Sequence, residues 1–317
     1  MKIDGKQIAD EILQKLQSET LQLKQKNVVP TLAVILVGDN PASVSYIRQK
    51  EKAAAAIEAE VRVMKYAMPA GRTSPKAMPT ARRQDVRVTK EEIQNVIHQL
   101  NTDPNIHGII IQRPLPIDLQ DLKLLNSVNP NKDVDGFVPN TKYQVPVGMA
   151  VEKILQKIYE VRFMKYEEKQ FLFWLTKQQI VIVGRGETAG KPIANHIQLL
   201  IRQLRFNRSQ ASDKFHIIHS KTTQEEKTQL LKQADSIISC VGKMRIITPG
   251  MVKKGVILIS VGISRDQNGA LLGDYEEEEI KDIASFYTPT PGGVGPVNVA
   301  CLMSNLIRSA TSTKEQV

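Results

Sequence analysis

Three polar side chains early in the chain could share one face of a helix and handle a proton. Ser43, Tyr46 and Lys50 are spaced three and four residues apart, which places them in one stripe of a predicted helix. A tyrosine hydroxyl beside a lysine can orient or buffer its ammonium group. The same spacing also fits an ordinary solvent-exposed helix, and on spacing alone we favour that simpler interpretation.

Two further candidates follow a buried strand. Gln112 ends the apolar run of residues 108–112, and open α/β sheets bind ligands at the carboxyl ends of their strands, although a glutamine there can also be a plain strand terminator. Further on, Asp133 and Asp135 precede Gly136. We predict no metal site, since no other acid or histidine lies at ligand spacing and such residues are common in turns. A single carboxylate that accepts from a donor-rich ring is the more economical hypothesis.

A glycine-rich segment directly after an apolar strand predicts a phosphate-binding turn. Gly184, Arg185 and Gly186, with Gly190 opening a helix, resemble the dinucleotide fingerprint, although the last glycine comes one residue late. Backbone N–H groups and a helix N-terminus would face a phosphate there. The next strand ends in residues 219–222 (HSKT), without the acid that usually holds the ribose 2′-hydroxyl. Together with Arg185, these residues favour NADP over NAD.

A loop rich in proline and glycine follows at residues 289–296 (PTPGGVGP). Prolines fix φ, and glycines allow a ligand to approach the backbone closely. We therefore favour a ligand-contacting loop over a rigid turn.

The elements that position these residues alternate between strands and helices. Short apolar runs predict buried strands at residues 31–37, 61–64, 108–112, 179–183, 215–218, 236–240 and 256–261. Helices are predicted from near Ile8, from Pro41 through the alanines at 53–56, after a Thr89/Glu92 capping box, and over residues 149–159 and 297–307. This alternation indicates wound α/β units, the second of them a dinucleotide-binding domain.

Composition excludes several classes of protein. No apolar run approaches the roughly 20 residues that cross a bilayer, so we expect no membrane partner. Cys240 and Cys301 are the two cysteines and lie in no CxxC motif, and no signal peptide is recognisable, so we expect a reducing cytoplasm. The formal net charge is +10, but residues 61–90 hold eight basic residues and one acid. That concentration favours an exposed loop over a nucleic-acid surface.

Six segments together resemble one family. They are VGDNPASVSYIRQK, GIIIQRPLP, NKDVDGF, IVGRGETAGKP, HSKT and TPTPGGVGPVNVACLMSN. They occur in the order found in the bifunctional methylenetetrahydrofolate dehydrogenase/methenyltetrahydrofolate cyclohydrolase family, and the resemblance spans nearly the whole chain.

The resemblance implies two wound α/β domains around a cleft, the second Rossmann-like, in a homodimer. We place the folate-binding catalytic domain at residues 1–143 with 294–317, and the NAD(P)-binding domain at 144–293. The implied activity is oxidation of 5,10-methylenetetrahydrofolate with NADP, and hydrolysis of the methenyl product to 10-formyltetrahydrofolate. The partners are then tetrahydrofolate derivatives and no nucleic acid.

The family also implies roles for particular residues. Lys50 resembles the catalytic lysine, Tyr46 lies beside it on the pterin side, and Gln112 resembles its hydrogen-bonding partner. Asp135 resembles the carboxylate that anchors the pterin. The resemblance implies that the folate is lined by Pro291, Gly292 and Gly293. It implies that the dinucleotide is bound by Gly184, Arg185, Gly186, Ser220 and Ile263.

Several positions depart from the family pattern, mostly on the cofactor side. Gly186 stands where serine is usual, Ser260 where aspartate is usual, Thr290 where an apolar residue is usual, and Arg113 where leucine is usual. A cyclohydrolase with weakened dehydrogenase activity, or another NADP-dependent oxidoreductase on the same scaffold, is therefore an alternative. A basic nucleic-acid-binding protein would not need the folate residues. The basic segment, residues 61–90, could instead attract the anionic polyglutamate tail of folates.

Overall fold

The computed structural model describes residues 1–67, 88–203 and 214–314, which form two compact units. The three-stranded unit comprises Ile12–Gln144 and Leu302–Val317, and the five-stranded unit comprises Met1–Glu11 and Val145–Cys301. Residues 1–11 and 294–301 thus group with the predicted cofactor domain, whereas we had expected them in the other. Most of the basic segment, residues 68–87, lies outside the described residues.

The three-stranded unit contains the predicted helix that carries Ser43, Tyr46 and Lys50. Its described elements are the greater part of α1 (Gly5–Gln25), then β1 (Thr31–Val37), α2 (Pro41–Ala56), β2 (Glu60–Tyr66), α3 (Lys90–Thr102), β3 (Gly108–Ile111) and the short α4 (Leu122–Leu125). The strands pair in parallel in the order β2-β1-β3. All seven residues of β1 are buried, as expected for a central strand that is covered on both faces.

The five-stranded unit contains the glycine-rich turn. Its described elements are α5 (Pro146–Phe163), α6 (Glu168–Lys177), β4 (Ile180–Val183), α7 (Gly190–Gln203), β5 (Phe215–Ile218), α8 (Gln224–Gln233), β6 (Ser236–Ser239), β7 (Ile257–Ser260), β8 (Ser264–Arg265), β9 (Leu271–Leu272), α9 (Glu277–Ile280), β10 (Phe286–Tyr287) and the start of α10 (Val294–Lys314). Five strands pair in parallel in the order β10-β7-β6-β4-β5, and β8 pairs with β9 in an antiparallel hairpin.

Local signals explain where the helices begin. The Asn40 side chain accepts hydrogen bonds from the backbone N–H groups of Ala42 and Ser43, and Pro41 occupies the first turn of α2. The capping box between Thr89 and Glu92 starts α3, which confirms the prediction. No helix in the described ranges is long and apolar enough to span a bilayer.

Some predicted boundaries need correction. Helix α5 begins three residues before residue 149 and ends at Phe163, and α10 extends well beyond the predicted residues 297–307. Residues 163–177, which carried no prediction, include helix α6. Its buried side chains, Phe171 and Trp174 among them, pack around Tyr159. The short strands β8, β9 and β10 were not predicted, because two residues cannot show a periodic pattern.

Candidate active site

Helix α2 directs its polar stripe inward. Ser43 and Lys50 are each 3% exposed, and Tyr46 between them is half-buried. The Ser43 hydroxyl donates a hydrogen bond of 3.3 Å to the backbone carbonyl of Arg113. The interpretation favoured from spacing alone, an exposed surface helix, is therefore wrong, because this face of α2 packs against the segment that follows β3.

Gln112 is the partner of the buried lysine. The Lys50 Nζ donates a hydrogen bond of 2.8 Å to Gln112 Oε1, and Gln112 Nε2 donates one of 2.8 Å to the carbonyl of Arg113. The Gln112 N–H itself donates a hydrogen bond of 2.9 Å to the carbonyl of Ile35, within β1. Both ends of the amide are therefore fixed, and the Lys50 ammonium lies 5.1 Å from the centre of the Tyr46 ring.

Burial and nearby charges shift the acid–base properties of this cluster. Burial lowers the pKa of Lys50, and the negative charge of Asp135 opposes that shift. Burial raises the pKa of Asp135, and the positive charges of Lys50 and Arg113 oppose it. The structure thus brings Lys50, Gln112, Tyr46 and Asp135 into one cluster of the three-stranded unit. A lysine with a lowered pKa loses its proton more readily near neutral pH and can act as a base.

The two acids of the Asp-Val-Asp-Gly segment have different surroundings. Asp133 is buried, and its carboxylate accepts hydrogen bonds from the backbone N–H groups of Gly136 and Val138 at 3.1 and 2.7 Å. Gly136 has a φ of +77°, which favours glycine at this turn. Asp133 therefore organises the turn, while half-buried Asp135 interacts with Lys50. Within the described residues, no group of three or more histidine, cysteine or acidic side chains could hold a metal ion.

Asn305 was missed in the sequence and supports this turn. It is fully buried on α10, and its Nδ2 donates hydrogen bonds of 2.9 Å to the carbonyls of Val134 and Gln144. These contacts fix the backbone on the amino side of Asp135. The available signal was an amide inside the largely apolar stretch of residues 299–307, where a polar side chain needs a buried partner.

The glycine turn of the five-stranded unit has the geometry of a phosphate-binding loop. Gly184 follows β4 with a φ of +101°, a conformation that side chains rarely adopt. A Cβ on Gly190 would lie 2.0 Å from the carbonyl oxygen of Gly184, so the first turn of α7 needs glycine there. A Cβ on Gly186 would meet nothing within 4 Å. The serine usual in the family would therefore fit at residue 186.

The predicted 2′-phosphate residues lie at the ends of two neighbouring strands. Val183 of β4 pairs with Ile218 of β5, so Arg185 and Ser220 both follow the carboxyl ends of adjacent parallel strands. Both side chains are exposed. This edge of the sheet is where open α/β sheets bind nucleotides.

Asp274, which the sequence analysis did not identify, contacts the loops that follow β6 and β7. It is fully buried and accepts hydrogen bonds from the backbone N–H groups of Val241 and Lys243 at 3.0 and 2.9 Å. A Cβ on Gly262 would lie 2.2 Å from the Gly242 nitrogen, so the loops after β6 and β7 are in close contact. Ile263, a predicted cofactor residue, is 52% exposed at this edge. An acid that is distant in sequence gave no local signal.

The proline- and glycine-rich loop belongs to the five-stranded unit. Gly292 has a φ of +101°, and its carbonyl accepts a hydrogen bond of 2.9 Å from the Gly5 N–H. A Cβ on Gly293 would lie 2.4 Å from the carbonyl oxygen of Pro289. The positive φ thus explains Gly292 and close packing explains Gly293, while Pro291 is exposed. The predicted substrate residues are consequently divided between the two units.

Two family models and a curated relative identify proteins that are similar to this chain. A family model described as the catalytic domain of tetrahydrofolate dehydrogenase/cyclohydrolase matches residues 3–135, and its NAD(P)-binding domain matches residues 166–314. The bifunctional protein FolD of Bacillus subtilis is 34% identical over 311 residues, which cover 98% of each chain.

Two solved structures are similar over the same length. The bifunctional FolD enzyme of Campylobacter jejuni, a methylenetetrahydrofolate dehydrogenase/cyclohydrolase, is 31% identical with a TM-score of 0.80, covering 98% of this chain and 99% of that one. The Trypanosoma brucei methylenetetrahydrofolate dehydrogenase-cyclohydrolase, solved with NADP and an inhibitor, is 25% identical with a TM-score of 0.80, covering 99% and 98%. The chain therefore belongs to the tetrahydrofolate dehydrogenase/cyclohydrolase family, and it is an enzyme with a folate-processing catalytic domain and an NAD(P)-binding domain.

Proposed function

We propose that the protein oxidises 5,10-methylenetetrahydrofolate with NADP and hydrolyses the methenyl product to 10-formyltetrahydrofolate, as an enzyme of one-carbon metabolism. The observation that carries this proposal is the buried Lys50 ammonium, hydrogen-bonded at 2.8 Å to Gln112. A lysine that is removed from water and held by a neutral amide is suited to proton transfer. Burying a lysine merely to fill a core position would destabilise the fold, because its ammonium group would lose its hydration.

Hydrolysis needs a group that accepts and returns a proton. Neutral Lys50 takes a proton from the water that adds to the methenyl carbon. As the bond between that carbon and the ring nitrogen breaks, the ammonium delivers its proton to the nitrogen. The amine then accepts the proton of the hydroxyl group that water left on that carbon, so that the formyl group forms. Lys50 finally releases this proton to solvent. Gln112 accepts a hydrogen bond from Lys50 and keeps the amine in one orientation.

Asp135 and Tyr46 would hold the pterin. An ionised carboxylate can accept two N–H groups from the pterin ring and its amino substituent, which suits Asp135. The Tyr46 ring lies next to Lys50 and is half-buried, so it offers an aromatic face at the same place. Pro291, Gly292 and Gly293, which belong to the five-stranded unit, are the remaining residues that the family resemblance assigns to the folate.

The residues of the five-stranded unit fit a dinucleotide. A bound nicotinamide nucleotide supplies the hydride acceptor. The segment between β4 and α7 is exposed at residues 185–188, and its glycines would let a pyrophosphate approach the backbone before the α7 N-terminus. Arg185 and Ser220 suit a 2′-phosphate, and Ile263 would contact another part of the dinucleotide. The NADP complex of the Trypanosoma brucei relative supports NADP over NAD.

One observation favours the alternative of a weakened dehydrogenase. Gly186 offers no hydroxyl to the phosphates, although there is room for a side chain at that position. Under this alternative the cyclohydrolase step is retained and NADP binds weakly.

The proposal extends to assembly and location. We infer a homodimer in a reducing cytoplasm that binds no nucleic acid. The similarity to this family supports the dimer, and the free thiols of Cys240 and Cys301 are compatible with that compartment. Light scattering of the purified protein at micromolar concentration tests the dimer, and a monomeric mass would contradict it.

The decisive experiment follows both reactions with both cofactors. Purified protein is mixed with 5,10-methylenetetrahydrofolate and NADP or NAD, and absorbance of the reduced nicotinamide and of the methenyl compound is recorded. Hydrolysis of added methenyltetrahydrofolate is measured separately, with spontaneous hydrolysis subtracted. Turnover with NADP and loss of the methenyl compound are expected. Hydrolysis without nicotinamide reduction would support the weakened dehydrogenase, and neither reaction would refute the proposal.

A further inference from the structure

Arg113 is a cation that is firmly fixed beside the lysine cluster. Its backbone carbonyl accepts hydrogen bonds from Ser43 Oγ at 3.3 Å and from Gln112 Nε2 at 2.8 Å. Its guanidinium carbon lies 4.6 Å from the centre of the Phe137 ring, a stacking distance that holds the side chain. Main chain and side chain are thus both anchored, and the positive charge has a defined position.

The charge of Arg113 acts on Asp135. Phe137, on which Arg113 stacks, is two residues after Asp135. The charged groups that interact with the Asp135 carboxylate are Lys50 on α2, Arg113 after β3, and Asp133 within its own turn. Burial alone raises the pKa of Asp135 and favours its protonated form, and the two cations oppose this effect.

The two cations are not equivalent during the proposed reaction. Lys50 must be neutral when it accepts a proton from water, and at that moment its attraction for the carboxylate is lost. Arginine stays charged at every pH at which proteins are studied. Of the charged groups that act on Asp135, Arg113 therefore supplies the positive charge that persists through the proton transfers.

We propose that Arg113 is a positioning residue for hydrolysis, a permanent cation that keeps Asp135 ionised while Lys50 loses and regains its proton. An ionised Asp135 accepts both pterin N–H groups, whereas its protonated form presents a donor to one of them. The inference rests on the proposed function and extends it. Since leucine is usual at this position of the family, the cation is a property of this chain, and Arg113→Leu is expected to fold.

The test is the pH dependence of folate binding. Affinity for 5-formyltetrahydrofolate, a stable probe, is measured by titration from pH 5 to 8 for the unmodified protein, Arg113→Leu and Arg113→Lys. Binding falls as pH drops through the pKa of Asp135, and loss of the cation raises that pKa. In Arg113→Leu we expect the midpoint to move upward by about one pH unit, with about tenfold weaker binding at the acid end. Arg113→Lys should restore the original midpoint.

Further variants separate this role from packing. In an Asp135→Asn background, replacing Arg113 by leucine should leave the pH profile unchanged, because the titrating carboxylate is gone. A purely structural role would weaken binding equally at every pH. That result, or a midpoint shift that persists with asparagine at residue 135, would overturn the inference and leave the proposed function intact. Absence of folate binding and of both reactions in the unmodified protein would overturn both.

Discussion

Replacing Lys50 by methionine tests the centre of the proposed site. Methionine retains the unbranched shape of the lysine side chain as far as Cε and lacks only the proton-carrying amine. General acid–base groups contribute on the order of 10²- to 10⁴-fold to rate, so cyclohydrolase activity of Lys50→Met should fall by at least about a hundredfold. NADP affinity should stay within about threefold of the unmodified value, because a threefold change is less than 1 kcal/mol and Lys50 belongs to the three-stranded unit.

The same substitution has a defined effect on stability. Burial lowers the folded-state pKa of Lys50 below its ordinary value of 10.5, so between these two values the unfolded state binds more protons. The stability of the unmodified protein therefore gains about 1.4 kcal/mol per pH unit from this group as the pH rises through that window. Lys50→Met loses this slope. It also leaves Gln112 Oε1 without its donor, at a cost of about 1–3 kcal/mol that does not depend on pH.

The slope is therefore more informative than the absolute stability. Urea unfolding followed by circular dichroism is carried out for both proteins between pH 7 and 10. We expect the difference in unfolding free energy to change in favour of the unmodified protein as the pH rises from the lowered folded-state pKa of Lys50 toward 10.5. Lys52→Met, at an exposed position two residues later on α2, is the matched control and should change neither rate nor slope. Hydrolysis within tenfold of normal, together with an unaltered slope, would refute the reasoning.

Three further predictions concern backbone geometry and buried polar contacts. Gly190→Ala would place a Cβ 2.0 Å from a backbone oxygen and should raise KM for NADP at least about tenfold without affecting methenyl hydrolysis, whereas Gly250→Ala, where a Cβ would meet nothing within 4 Å, should leave both unchanged. Asp274→Ala removes two hydrogen bonds to backbone N–H groups, so urea unfolding should show a loss of about 2–4 kcal/mol, and an undiminished midpoint would contradict this. Asn305→Ala leaves two carbonyls without a donor and should cost about 2 kcal/mol and weaken folate binding, as measured by unfolding and titration.

Sequence reasoning succeeded where the structure is local. Strand β1 has the predicted ends, Thr31 and Val37, because a continuous apolar run is bounded there by a proline and a glycine. The start of α2 was predicted equally well from Pro41, which suits the first turn of a helix. Helix α10 was predicted too short because its last turns contain serine and threonine. Here the hydroxyls of Thr311 and Ser312 donate to carbonyls one turn earlier in the same helix.

The site itself depends on contacts that spacing does not encode. The Lys50–Gln112 hydrogen bond joins residues 62 positions apart, so periodicity around Lys50 could not distinguish a buried lysine from an exposed one. The resemblance to the family supplied that pairing. Asp274 reaches Val241 across 33 positions, and it went unnoticed because one acid in a turn is an ordinary feature. Long-range partners decide which polar residues are buried, and a single sequence does not reveal them.

The backbone hydrogen bond between Gly5 and Gly292 determines which residues a separate cofactor-binding fragment of this enzyme must include. The Ile3 N–H likewise donates to the carbonyl of Tyr287 on β10, so the first residues of the chain border the edge strand of the five-stranded unit. A fragment cut at Val145 would lose these donors and leave that border open. An autonomous cofactor-binding module would need the first eleven residues as well, joined by a linker to Val145–Cys301.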